Sequence, residues 1–136
     1  GSSWEEVMIL SKELEKADVN IINTSIGWHE SRIPTIATMV PRAACSWVTK
    51  KMMGEVSIPL GTTNRINDPK VAEEVLQDGC ADMVSMARPF LADPELVLKA
   101  IEGRPEEINT CIACNQACLD HTFTMQVCSC IVNRPR

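Results

Sequence analysis

Cysteines at close spacing are the residues of this sequence best suited to chemistry. Five of the seven cysteines fall within the 20 residues from Cys111 to Cys130. Cys111, Cys114, Cys118 and Cys130 form the pattern C-x2-C-x3-C-x11-C. Three thiolates on one short segment and a fourth further along can surround a cuboid cluster, and four cysteine thiolates ligate a four-iron cluster. The pattern therefore favours an iron–sulfur centre.

The same cysteines leave two other interpretations open. Four thiolates also bind structural zinc, although zinc sites more often combine two C-x2-C pairs and this segment has one. Cys128 lies two residues before Cys130, and spacing alone cannot distinguish the two as ligands. Cys45 and Cys80 lie elsewhere in the chain, and we expect both to be small buried residues.

Two arginines follow predicted strands. Arg65 lies in "TTNRIND" and Arg88 in "MARPF", the stretches in which the second and third strands end. The carboxyl ends of parallel strands carry the ligand site in β/α folds, so both guanidinium groups suit a phosphate. The alternative is that both are surface residues paired with Asp68 and Asp93.

A histidine follows the first predicted strand. His29, in "GWHE", is expected at the same end of the sheet as the two arginines. A histidine there can donate a hydrogen bond to a substrate carbonyl or move a proton. A lone histidine in a loop can equally be incidental.

Helices and strands alternate along the chain. Ser3 and Glu6 have the spacing of a capping box that begins the first helix. Asp68 with Pro69, and Asp93 with Pro94, predict the starts of two later helices, which Gly79 and Gly103 terminate. Alternation of this kind predicts an α/β fold with three parallel strands joined by helices. The predicted strands span residues 19–25, 56–63 and 81–87, and the second helix spans residues 42–54.

Length and composition restrict the class of protein. The 136 residues suffice for one domain with a core, and the net charge of −5 argues against a nucleic-acid partner. No apolar run approaches the roughly 20 residues of a membrane span. The first residues lack the basic region of a secretion signal, so we expect a cytoplasmic protein with reduced cysteines.

Four longer stretches resemble one family of enzymes. "INTSIGWHESRIPTIATMVPRAA", "TTNRINDPKVAEE", "ADMVSMARPFLADPE" and "EINTCIACNQACLDHTF" are similar, in order, to the old yellow enzyme-related flavin oxidoreductases. Within that family the resemblance is to the iron–sulfur branch of the bacterial 2,4-dienoyl-CoA reductases. Enoate reductases are related, and the spacing of "CNQAC" suits both. The resemblance extends over essentially the whole chain.

The resemblance implies a fold, cofactors and residue roles. Residues 1–106 would form the last three β/α units of an FMN-binding (β/α)8 TIM barrel, and residues 107–136 a segment that binds a 4Fe-4S cluster. NADPH would reduce FAD on a further domain, and electrons would reach FMN through the cluster and then an unsaturated acyl-CoA thioester. His29 would lie near the substrate carbonyl. The implied FMN phosphate residues are Arg65, Ala87 and Arg88, and the implied cluster ligands are Cys111, Cys114, Cys118 and Cys130.

The chain also departs from the family pattern. It has no tyrosine, although the family uses a catalytic tyrosine as proton donor, and it has no G-x-G-x-x-G stretch for a dinucleotide. Three strands cannot close a barrel, so we expect a fragment that needs the rest of the flavoenzyme or partner chains to complete it. The alternative is a non-catalytic or degenerate metal-binding fragment.

Overall fold

The computed structural model describes residues 1–27, 31–34 and 36–133. Three short parallel strands form one sheet in the order β1-β2-β3. Ile22 pairs with Leu60, and Gly61 pairs with Met83. The predicted α/β fold with three parallel strands is therefore confirmed, although each strand is shorter than its predicted range. The strands are β1 Ile22–Thr24, β2 Leu60–Thr62 and β3 Met83–Val84.

Six α-helices and one 3-10 helix accompany the sheet in the described residues. Ser3 and Glu6 form the predicted capping box at the start of α1, and the Asp68 side chain accepts from the N–H of Lys70 at the start of α3. The helices are α1 Trp4–Lys16, α2 Ser46–Met52, α3 Pro69–Gln77, α4 Arg88–Ala92, α5 Leu96–Ile101 and α6 Leu119–Phe123, and the 3-10 helix is Pro105–Glu107.

Two predicted helix starts were wrong, and two short helices were not predicted. The second helix begins at Ser46 and not near residue 42. The stretch after β3 forms α4, and the next helix begins at Leu96, two residues after the predicted start at Pro94. The Asp93 Oδ1 still accepts from the N–H of Glu95, at 3.0 Å. The short helix α6 lies in the cysteine segment, where no periodicity predicted it.

The core consists of two hydrophobic clusters. Met8 and Met52 pack near Leu60 in one cluster, and Ile66, Val75 and Cys80 form the other. Burial of Cys80 agrees with its predicted role as a small core residue. No helix in residues 1–27, 31–34 and 36–133 is long and apolar enough to cross a membrane.

A close contact across the sheet favours glycine at position 61. A Cβ at this position would lie 3.0 Å from the Asn23 Oδ1. Since glycine has no side chain, Asn23 of β1 passes over β2 and donates to the Ser85 Oγ at 3.0 Å, just after β3. This bond joins β1 to the segment that follows β3.

Candidate cofactor site

The two predicted arginines emerge from the ends of adjacent strands. After β2 the backbone turns through left-handed conformations at Asn64 and Arg65, with φ of 77° and 57°. Such conformations are costly for residues other than glycine and often occur at functional sites. The Arg65 Nε donates to the Val40 carbonyl at 2.8 Å. Arg88 follows β3 as the first residue of α4.

Both arginines reach one cavity of about 150 Å³ beyond the ends of β2 and β3. Ala87 also lines it, so the three residues predicted to hold a phosphate come together. Burial, and then the positive charge of Arg88, lower the pKa of Arg65. The repulsion between two cations at one cavity suits an anionic ligand.

The predicted alternative, in which these arginines pair with two aspartates, is wrong. Asp68 pairs with Arg42 at 3.4 Å, and Asp93 pairs with Lys99 at 2.7 Å. Within the described part of the chain neither Arg65 nor Arg88 forms an ion pair. Their charges at the cavity are therefore not compensated there by a carboxylate.

Asn67 contributes a polar atom that sequence reasoning missed. Its side chain is 5 % exposed, lines the same cavity and donates to the Cys111 carbonyl at 2.6 Å. Its Oδ1 is buried without a hydrogen-bond partner among the described residues. A buried acceptor without a partner is costly unless a ligand or water satisfies it. A bound molecule with a hydroxyl or N–H would fit here. The only indication of this role in the sequence was that Asn67 directly precedes the helix cap Asp68.

The four predicted cysteine ligands line a second, adjacent cavity. Cys111, Cys114, Cys118 and Cys130 all border it, whereas the exposed Cys128 does not. Burial raises the pKa of the Cys118 thiol, and the backbone N–H of Leu119 and the charge of Arg88 only partly oppose this. Much of the remaining lining is apolar and consists of Leu91, Ile112, Ala113, Ala117 and Ile131.

The cysteine cavity has a volume of about 10 Å³, and its four thiols are the donor set of a cluster and not of a single ion. Among the described residues no three His, Cys, Asp or Glu side chains are grouped closely enough to hold one metal ion. A cuboid four-iron cluster takes one thiolate at each of four irons, so its ligands surround a volume and do not meet at a point. Four thiols around one mainly apolar cavity match that donor set.

The cysteine segment is anchored by side chains from the preceding loops. Thr38 donates to the Ile112 carbonyl at 2.7 Å. The Arg88 Nη1 donates to the Asn115 Oδ1 at 2.6 Å and to the Ile36 carbonyl at 2.9 Å. Arg88 and Cys111 line both cavities. The two cavities are therefore neighbours with a shared wall.

The predicted catalytic histidine is not part of this geometry. His29 lies outside the residues that the structure describes, as do Trp28 and Glu30. Its role near a substrate carbonyl stays a prediction.

Comparison with known proteins identifies relatives of the chain. The sequence model of the NADH:flavin oxidoreductase / NADH oxidase family matches residues 3–107. A protein named metal reductase from Desulforamulus reducens is 48 % identical over 128 residues, which cover 94 % of this chain and 19 % of the relative. An NADH oxidase from Thermoanaerobacter brockii is 37 % identical over 88 % of this chain and 18 % of its own length.

The solved structure of a 2-naphthoyl-CoA reductase in complex with 2-naphthoyl-CoA is also similar. It superposes with a TM-score of 0.90 and 35 % identity, over 98 % of this chain and 20 % of that protein. The chain thus spans about a fifth of the length of the relatives that it matches.

Proposed function

The chain belongs to the NADH:flavin oxidoreductase / NADH oxidase family, and on that premise we propose that it supplies an FMN phosphate site and a 4Fe-4S cluster site to a flavin-dependent oxidoreductase. One observation carries the proposal: Arg65, Ala87 and Arg88 converge on a cavity that shares a wall with the cavity lined by four cysteines. When bound, FMN supplies hydride transfer and the cluster supplies single-electron transfer.

Arg65 and Arg88 would bind the flavin phosphate. Both guanidinium groups border the cavity without a carboxylate partner in the described residues, so an anion gains their full attraction. The free Oδ1 of Asn67 would accept a hydrogen bond from a hydroxyl of the same ligand. Hydrogen bonds from the two arginine side chains to the backbone carbonyls of Val40 and Ile36 would hold both guanidinium groups in place.

The four cysteines would ligate the cluster in the neighbouring cavity. Cys111, Cys114, Cys118 and Cys130 line it, and the apolar side chains around them would limit access of water. The shared wall would keep the flavin and the cluster near one another, as electron transfer requires. FAD and NADPH, which the sequence resemblance implies, would bind outside this chain.

The substrate that we propose is an unsaturated acyl-CoA thioester such as a 2,4-dienoyl-CoA. The sequence motifs and the similarity to a 2-naphthoyl-CoA reductase support it. His29 would contact the thioester carbonyl. The 48 % identity to the protein named metal reductase favours a second candidate, in which a soluble metal ion is the electron acceptor. Other segments or partner chains would complete an eight-stranded barrel around the flavin.

Anaerobic purification of the complete protein, followed by metal, sulfide and flavin analysis, tests the proposal. We expect about four irons and four sulfides per chain, a visible absorption that dithionite bleaches, and bound FMN. Stoichiometric zinc, or no iron after reconstitution, would contradict the cluster assignment. Oxidation of the reduced protein by 2,4-dienoyl-CoA or by ferric citrate would then distinguish the two substrate classes.

A further inference from the structure

Asn115 lies between two proposed cluster ligands, yet its side chain contacts the phosphate-binding arginine. Its Oδ1 accepts from the Arg88 Nη1 at 2.6 Å, a short distance for a bond to a charged donor. Its backbone is left-handed, with φ of 65°, and its carbonyl accepts from the N–H of Asp120 at 3.0 Å. The asparagine is thus held by a fixed turn, and the function proposed above does not require its side chain.

The bonds made by Arg88 leave one edge of its guanidinium group available. The group has five N–H donors. The Nη1 atom serves both the Asn115 Oδ1 and the Ile36 carbonyl. Within the described part of the chain, the Nε–Nη2 edge has no hydrogen-bond partner. Two parallel N–H groups on such an edge match two oxygens of a phosphate.

A long side chain that is already held in its binding conformation increases the affinity of a site for its ligand. An unrestrained arginine loses rotamer freedom when it binds a ligand, and a preorganised one has already lost it. Asn115 and the Ile36 carbonyl restrain Arg88 from two different loops. The Asn115 bond also links the cysteine segment to the phosphate cavity.

We propose that Asn115 is a positioning residue that holds Arg88 so that its Nε–Nη2 edge binds the phosphate of the flavin. The cysteine segment thereby contributes to the selectivity for FMN over riboflavin, which lacks the phosphate. This inference rests on the proposed function. A residue that only shaped the cysteine turn would not affect that selectivity.

The test compares the affinity of the complete protein for FMN and for riboflavin. Asn115→Gly keeps a left-handed backbone accessible but removes the acceptor. We expect Asn115→Gly to bind FMN about tenfold more weakly, with riboflavin affinity unchanged. Asn20→Gly, at an exposed loop position, is the matched control and should behave as wild type.

Each outcome has a distinct meaning. If the wild type does not prefer FMN to riboflavin, the proposed phosphate site is wrong. If the wild type prefers FMN and Asn115→Gly prefers it equally, the role of Asn115 is overturned. Should Asn115→Gly not fold, Asn115→Ser replaces it, because its shorter side chain does not reach Arg88.

Discussion

Cys128 and Cys130 differ in position although spacing alone does not distinguish them. Cys130 lines the cavity with the other three cysteines, whereas Cys128 is exposed outside that lining. The Ser129 N–H between them donates to the Ala117 carbonyl at 2.7 Å. This bond fixes the chain locally, so that the two cysteines cannot exchange places without breaking it.

Replacement of each cysteine by serine tests which one is a ligand. We expect Cys130→Ser to reduce the iron content after anaerobic reconstitution to well below about four per chain, because a four-iron cluster needs four thiolates. Cys128→Ser is the matched control and should retain the wild-type iron content. Equal iron loss in both variants would contradict the assignment of Cys130 alone.

At the scale of elements, Asp93 connects two helices with the start of the cysteine segment. The residue is 2 % exposed, and its carboxylate accepts from the Lys99 Nζ at 2.7 Å and from the N–H of Asn109 at 2.9 Å. Burial by itself would raise the pKa of Asp93, but these bonds and the one from Glu95 outweigh it and lower the pKa. The ionised form therefore stabilises the junction at residues 92–109.

Asp93→Asn should reduce the free energy of unfolding by about 2 kcal/mol at pH 7, because Lys99 loses its charged partner and keeps only the Glu107 carbonyl. The folded pKa is lower than the unfolded value of about 3.9, so this stabilisation is complete above that value. It is lost as the pH falls through the folded pKa. Urea unfolding at several pH values should show the difference between wild type and variant shrinking in acid.

The exposed Asp18 offers a control for this measurement. The backbone of Asp18 is left-handed, a conformation that asparagine tolerates. Asp18→Asn should therefore change the free energy of unfolding little at any pH. A difference between wild type and Asp93→Asn that stays constant from neutral to acidic pH would show that the charge of Asp93 is not what stabilises the junction.

Helix α3 carries an aspartate at each end, and the two should affect the stability of the protein differently. Asp68 caps the start of the helix, at 2.9 Å from the N–H of Lys70, whereas Asp78 is exposed at its end. We expect Asp68→Ala to lower the free energy of unfolding by about 1 kcal/mol. Asp78→Ala should be neutral or slightly stabilising, because a negative charge is unfavourable at that end of a helix. Thermal unfolding of both variants checks this, and an equal loss would contradict it.

For the molecule as a whole, the β1 side of the sheet has an open edge within the described residues. Strand β1 pairs only with β2 there, so its outer edge has no strand partner. Beside it lies a cavity of about 480 Å³ bordered by Trp4, Leu10 and Trp47. Leu10 is 59 % exposed and Trp47 is 61 % exposed. Exposed apolar residues next to an open strand edge are typical of a surface that another segment covers.

The 136-residue chain, studied by itself, should therefore self-associate through this side. We expect Trp47→Lys to weaken the association at least about tenfold, because a charge replaces a large apolar contact. Met125→Lys is the control, since Met125 is exposed on the cysteine segment, away from the sheet edge. Sedimentation velocity measures both variants. A strictly monomeric wild-type chain would contradict this expectation.

Local rules in the sequence determined the order of elements and several of their ends. The capping box at Ser3 and the Asp68–Pro69 start depend on contacts within a few residues, and both are confirmed. The cysteine pattern and the two arginines after strands also indicated which residues meet at the candidate site. The helix predicted to start at Asp93–Pro94 begins at Leu96 instead, and the Asp93 carboxylate also binds Lys99 and Asn109, which lie further along the chain.

Only the tertiary structure decided how the two cavities are joined. Asn67, Thr38 and Asn115 have no distinguishing pattern, because their partners lie 44, 74 and 27 residues away along the chain. Likewise Cys130 is separated from Cys128 by the way the segment folds back on Ala117. Residue types limit which ligands a chain can bind. Which donors remain free to bind them depends on contacts between distant segments, and those form only when the sheet and its loops pack together.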